Sequence, residues 1–241
     1  QRQFPQLREQ WHALLRALPQ EVMLQHPVTL QDEKLTLTRD MVTGMARMPL
    51  YAPALAAALP LAVSEASRGR FAPLAGLSSA LGSGGGRATS MAQGMHFSVI
   101  CAEDMPRLEQ ATDRPGADFG TAYLDMYRKA CAEWPRGSVP AEFYQVPATP
   151  VPTLVLSGGI DPVTPPRHGE RVSKALGAKA RHVVVPNAGH GVMALGCMRD
   201  VLFRFVDADD GEAALAQLDA ACVQGIPRPP AFVPPRVEGR S

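Results

Sequence analysis

Hydrophobic and polar positions alternate along the chain in two different rhythms. From Gln6 to Leu18 apolar residues fall at Leu7, Trp11, Leu14, Leu15 and Leu18, the three-to-four spacing of a helix. Thr38 or Arg39 to Met48 reads as a second helix, with Thr38 able to cap its start and Pro49 ending it. Pro53 to Ser67 reads as a third. Ala88 to about Asp104 reads as a fourth, with Met91, Met95 and Val99 stacked four apart. Asp118 to Trp134 is a fifth, stopped by Pro135. No strong strand pattern stands out here, so residues 1 to 147 are expected to form a mainly helical segment. The Gly82–Gly86 run follows no strand and lacks a G-K-[ST] ending, so it reads as a linker rather than a phosphate loop.

The rhythm changes in residues 148 to 241. Thr153 to Leu156 is a short, continuously apolar run that ends at Ser157-Gly-Gly159, the pattern of a strand covered on both faces of a parallel sheet. Pro165 and Pro166 open a helix that runs to Leu176 and exits at Gly177. His182 to Val185 is a second such strand, closed by Pro186. Strand, helix, strand in so short a span is a right-handed βαβ unit. Helices near Met198–Val206 and Gly211–Val223 follow, then an extended proline-rich tail from Ile226 to Pro235. The expected fold is therefore α/β: parallel strands with flanking helices, joined to a mainly helical segment. Two strands do not make a stable α/β sheet. The remaining strands are expected from a polypeptide N-terminal to Gln1, and a chain opening on Gln rather than Met is expected to be part of a longer protein.

Composition narrows the function classes. At 241 residues, 46% hydrophobic and 20% charged, the chain can bury a sizeable core. A net charge of +1 offers no bulk attraction for nucleic acid or an anionic membrane. The longest apolar stretch, Pro53 to Val63, is alanine-rich, broken by Pro60, and too short to span a bilayer. The cysteines are Cys101, Cys131, Cys197 and Cys222, which permit three pairings. None forms a C-x-x-C pair and no histidine stands at zinc-ligand spacing, so no structural zinc site is expected. An even count in two sequence-local pairs points to disulfides in an exported protein; four reduced thiols in a cytosolic protein is the alternative.

The candidate chemistry lies just past the two strands. Asp161 sits in Leu156-Ser-Gly-Gly-Ile-Asp-Pro162, and His190 in Pro186-Asn-Ala-Gly-His-Gly191. Parallel strands would bring both to the C-terminal sheet edge, where open α/β sheets bind ligands. A histidine can take the proton of a nucleophile near neutral pH, and a buried carboxylate can hold its other nitrogen. Gly189 and Gly191 leave room beside the ring. Taken singly, Asp before Pro is a turn opener and a loop histidine is commonplace. Together, in this order and at this spacing, they suit the acid and the base of a triad.

The stretch TLVLSGGIDPVTPPRHGERVSKALGAKARHVVVPNAGHG, residues 153 to 191, resembles the C-terminal segment of α/β-hydrolases. More narrowly, it resembles the tripeptidyl aminopeptidase and proline iminopeptidase-like group of serine peptidases. GCMRDVLFRFVDADDGEAALAQLDAACVQGIPRPPAF is similar to that group's C-terminal end, and FSVICAEDMP and CAEWP to parts of its helical lid. The resemblance implies Asp161 as triad acid, His190 as general base, disulfides Cys101–Cys131 and Cys197–Cys222, and a secreted or periplasmic location. It also implies a serine in G-x-S-x-G upstream of the lid, a motif absent from this chain: Gly76-Leu-Ser-Ser-Ala80 lacks the final glycine, and Gly82-Ser-Gly fails the spacing. The nucleophile and the oxyanion donors are thus expected N-terminal to Gln1.

Glu103 is the candidate substrate-binding residue, because lid glutamates of the related iminopeptidases bind the substrate's free α-amino group. It would continue the Met91, Met95, Val99 stripe at a helix C-terminus, where a carboxylate is disfavoured by ~0.3–1 kcal/mol. A salt bridge to Arg107 is the plainer alternative. Asp104 and Glu133 are weaker candidates. His96 is expected to pack in the lid, and His168 and His182 to lie at the surface. The implied activity is a serine exopeptidase acting on peptides with a free N-terminus. Its expected partners are a peptide or small ester substrate and the N-terminal remainder of the hydrolase domain. No metal and no organic cofactor is implied. Rival readings are an esterase or other α/β-hydrolase, including one with an Asp nucleophile as in epoxide hydrolases, and a non-catalytic binding module or pseudoenzyme.

Overall fold

The computed structural model describes residues 3–25, 29–80, 92–111 and 119–235. The Gly82–Gly86 linker and Met91 lie outside the described residues.

The first segment begins with helix α1 (Leu7–Arg16), whose Leu14 and Leu15 are buried. Strands β1 (Gln20–Gln25) and β2 (Asp32–Leu37) then form an antiparallel pair. They lie in a half where no strong strand pattern stood out in the sequence. Their sequence signal is brief: Val22 and Leu24 turn inward between exposed Glu21 and Met23, while β2 is mostly exposed and buries Leu37. Helix α2 (Arg39–Arg47) starts as expected, with the Thr38 hydroxyl oxygen accepting from the Met41 N–H at 3.3 Å. It passes into a 3-10 turn, Met48–Tyr51.

The helix expected over Pro53–Ser67 is two, α3 (Pro53–Ala56) and α4 (Leu59–Ala66), with a turn at Ala57–Ala58 just before Pro60. Helix α5 (Ala72–Ser79) has no counterpart in the sequence reading. These elements bury one core made of Leu14, Leu15, Leu37, Val42, Ala62, Ala66, Phe71 and Leu74.

Helix α6 (Gln93–Val99) is shorter than expected. It widens into a π-turn over Ile100–Asp104 and then tightens into a 3-10 helix over Met105–Gln110. Helix α7 (Ala122–Glu133) lies beside it, joined by the Cys101–Cys131 disulfide.

The second segment follows the expected order with longer strands. Strand β3 (Thr153–Gly158), helix α8 (Pro166–Leu176) and strand β4 (Ala180–Val185) form a βαβ unit with β3 and β4 parallel. Gly177 leaves α8 with a positive φ of 85°, a conformation that costs glycine little. The two sheet faces differ. Leu154, Leu156, Val183 and Val185 pack with Met198 and Val201 of helix α9 (Met198–Val206) and with Leu218 and Val223 beyond it. On the other face Ser157 and His182 pair at 2.9 Å beneath α8. Gly169 lets the helix come close, since a Cβ there would stand 2.5 Å from Ser157 Oγ and 2.7 Å from His182 Nε2. His182 is therefore half-buried rather than a surface group, and burial holds its imidazole pKa below the ordinary value against the pull of Glu170.

The final helix expected over Gly211–Val223 is helix α10 (Gly211–Ala216), capped by Asp210, followed by a separate 3-10 turn over Ala221–Gly225. The Cys197–Cys222 disulfide ties that turn to the start of α9. The tail then runs back across the first segment, where the Phe232 N–H donates to the Ala57 carbonyl at 2.8 Å.

Closing loops of 30 and 25 residues, each disulfide restricts the unfolded chain and is expected to contribute about 3–4 kcal/mol. Urea denaturation with and without a reductant checks this: the midpoint should fall on reduction, and an unchanged midpoint would show that the bridges carry no stability.

Candidate active site

Two loops at the C-terminal ends of β3 and β4 build the site, and they are zipped together by backbone. The Gly159 N–H donates to the Val185 carbonyl at 2.8 Å and the Ile160 N–H to the Ala188 carbonyl at 3.0 Å. The fit leaves no space for side chains. A Cβ on Gly158 would overlap the Gly189 carbonyl oxygen, and one on Gly159 would stand 2.7 Å from the Pro186 Cα.

Asp161 emerges from the first loop and His190 from the second. His190 Nδ1 lies 3.0 Å from Asp161 Oδ2 and 3.2 Å from Oδ1. The carboxylate has further donors. Oδ1 accepts from the Val163 N–H at 2.8 Å and the Thr164 N–H at 3.0 Å, and Oδ2 accepts from the Thr164 hydroxyl at 2.8 Å. Only 6% of the Asp161 side chain is exposed, against 41% for His190. Burial opposes ionisation of Asp161, but the two N–H groups, His190 and the Thr164 hydroxyl outweigh it and hold the carboxyl below its ordinary value. An ionised carboxylate only accepts, so His190 carries its proton on Nδ1 and its neutral form keeps the lone pair on Nε2.

The first segment reaches into this site through Tyr51. The His190 N–H donates to the Tyr51 carbonyl at 2.8 Å, and the two rings meet edge-on with centroids 5.2 Å apart. Tyr51 also borders a cleft of about 550 Å³ beside His190, lined by Met48, Pro53, Leu195, Ile226 and Pro227 among others, and mostly apolar. The sequence reading missed Tyr51. Its only signal is a position just past a helix and before a proline, which marks a turn and nothing more.

Glu103 sits elsewhere, in the π-turn. The inserted residue breaks the four-residue stripe it was expected to continue. Met95 and Val99 are exposed at 68% and 42%, so the stripe is not a buried face. Glu103 is half-buried, and its backbone carbonyl accepts from the Tyr144 hydroxyl at 2.8 Å. Arg107 does not pair with it; its guanidinium hydrogen-bonds Gln110 and lies 4.3 Å from the Tyr144 ring centroid. Asp104 is exposed at the end of the same turn, and Glu133 ends α7. His96 bonds the Tyr127 hydroxyl at 2.7 Å, and His168 lies 3.3 Å from Arg171. All four cysteines are paired, as Cys101–Cys131 and Cys197–Cys222. Among the described residues, no group of three or more His, Cys, Asp and Glu side chains could hold a metal, and no helix is long and apolar enough to cross a membrane.

A parallel βαβ unit that presents a carboxylate-bound histidine at the ends of its strands is a piece of an α/β-hydrolase. Residues 116–214, which contain both loops, match the model of the TAP-like protein family, an α/β-hydrolase family. Nothing among the curated proteins or the solved structures matches the chain.

The geometry sets a pH dependence. Because the folded state lowers the Asp161 pKa, its contribution to stability is complete above the ordinary value of 3.8 and is lost as pH falls from there through the folded value. Asp161→Asn should flatten this acid limb in denaturation midpoints measured from pH 6 to pH 2; an identical limb in both proteins would show that Asp161 is not its source. Gly158→Ala should cost about 1–3 kcal/mol by forcing the two loops apart, read as a lower urea midpoint.

Proposed function

We propose that the protein is a serine hydrolase of the exopeptidase type, acting on short peptides with a free N-terminus. The observation that carries the reading is the Asp161–His190 pair, 3.0 Å apart on the zipped loops. Nδ1 of His190 is held by the carboxylate, so Nε2 faces the reaction. The nucleophile is a serine supplied from sequence N-terminal to Gln1, together with the oxyanion donors. Its hydroxyl adds to the scissile carbonyl as Nε2 takes the hydroxyl proton. The resulting imidazolium, stabilised by Asp161, passes that proton to the departing amine as the C–N bond breaks. Water then repeats the sequence on the acyl-enzyme, and serine is the leaving group.

Glu103 is the proposed partner of the substrate's ammonium group. It is half-buried, and the Tyr144 hydroxyl bond to its carbonyl holds its backbone in place; a carboxylate and an ammonium group would meet in a charge-assisted hydrogen bond. The two disulfides suit an exported protein, since such bonds persist in oxidising compartments.

The test uses the intact protein with its upstream sequence. A fluorophosphonate probe should label it, and His190→Ala should abolish labelling. His190→Ala should also lower hydrolysis of aminoacyl esters and amides by roughly 10³-fold or more; unchanged hydrolysis would refute the triad. Substrates with free amines should be cleaved and their N-acetylated forms rejected. Equal cleavage of both would make the enzyme an esterase without amine recognition. Glu103→Gln should raise KM for the free-amine substrates about ten- to a hundredfold with little change in kcat.

A further inference from the structure

An aromatic and cationic cluster lies on the first-segment side of His190. Tyr51, edge-on to the His190 ring, falls one turn after Arg47 along α2 and the 3-10 turn that continues it. The Arg47 guanidinium carbon stands 4.6 Å from the centre of the Tyr123 ring. Tyr123 packs edge-on against Tyr127 at 5.1 Å. Burial, together with the neighbouring Tyr123 hydroxyl, raises the Tyr127 pKa, while the charge of Arg47 pulls it back and Tyr51 adds to the rise.

The hydrogen bonds in this cluster run in one direction. The Tyr127 hydroxyl donates to Tyr123 Oη at 3.1 Å, which uses its only proton. It must then accept from His96 Nε2 at 2.7 Å. The chain ends on the Tyr123 hydroxyl, which keeps its own proton to donate, and Tyr123 is exposed.

Arg47 is half-buried, and among the described residues no carboxylate pairs with it. Some basic groups, such as Arg70 with Glu65 and Lys179 with Glu212, have acidic partners, whereas Arg107, stacked on Tyr144, bonds Gln110 instead. A stack on an aromatic ring fixes the guanidinium plane but leaves its N–H groups available. A planar fork of donors beside a phenolic O–H suits a carboxylate.

We propose that Arg47 and the Tyr123 hydroxyl form a subsite for a carboxylate of the substrate, next to His190. The proposal rests on the hydrolase reading above and sharpens it: the substrate is a short peptide whose C-terminal carboxylate reaches Arg47. Such a subsite favours small free peptides over internal positions of a long chain.

Binding tests this apart from catalysis. The His190→Ala form of the intact protein is titrated calorimetrically with trialanine and with trialanine amide, which differ only in the C-terminal charge. The free acid should bind about ten- to a hundredfold tighter. Arg47→Met, which keeps the length of the stem, should remove that preference, and Arg47→Lys should restore part of it. Circular dichroism shows whether each variant is folded. Equal affinity of acid and amide for the parent His190→Ala protein overturns the proposal whatever the variants do. A preference that survives in folded Arg47→Met also overturns it. Failure of the hydrolase reading appears separately, as unchanged hydrolysis in His190→Ala, and leaves the acid–amide comparison valid.

Discussion

The close approach of the loops after β3 and β4 governs the geometry of this molecule. Gly158 and Gly159 lack side chains, so the carbonyls of Pro186, Ala188 and Gly189 can lie against the backbone of the first loop. Main-chain hydrogen bonds carry the parallel ladder past the end of the regular strands. Asp161 and His190 come from chain segments far apart in sequence, yet each is fixed within a few residues of this junction. The carboxylate is then surrounded by donors from its own turn, so it is oriented before the imidazole reaches it. That order matters for acid–base chemistry, because a base is only as well placed as the group that orients it.

The second segment was legible because its signals are local. Continuous apolar runs, flanking prolines and glycines, and the exit glycine of α8 each have a short-range physical cause. The first segment was less legible. The hairpin of β1 and β2 alternates only over Val22, Leu24, Leu35 and Leu37 among charged neighbours, too few positions to declare a period of two. The π-turn after α6 adds one residue to a helical turn, and the face assigned to Glu103 changed as a result. No local rule announces such an insertion, which is set by packing and by the tether at Cys101. The contact of Tyr51 with His190 joins the two segments and has no local signature.

One disulfide and two hydrogen bonds hold the tail around the site. The Cys197–Cys222 bridge fixes the turn that precedes Ile226. The carbonyl of Ile226 accepts from the Asn187 side chain at 2.9 Å, three residues before His190. The tail continues to the Phe232–Ala57 hydrogen bond. The apolar cleft beside His190 thus has one wall from the first segment and another from the tail, and its shape depends on both. Tyr51, whose ring meets the imidazole edge-on, also lines that cleft, so a single turn of chain shapes both.

That turn meets the histidine loop through its carbonyl group. A main-chain contact of this kind is blind to the identity of residue 51: replacing the tyrosine would alter the ring packing but leave the C=O in place. Chain length is what it registers. Inserting or deleting one residue between Pro49 and Pro53 would swing the carbonyl away and release the backbone N–H of residue 190. Over evolutionary time the segment is therefore free to change its side chains while its spacing stays fixed, and in this region the pattern of gaps in related sequences would be a better guide to function than the pattern of letters.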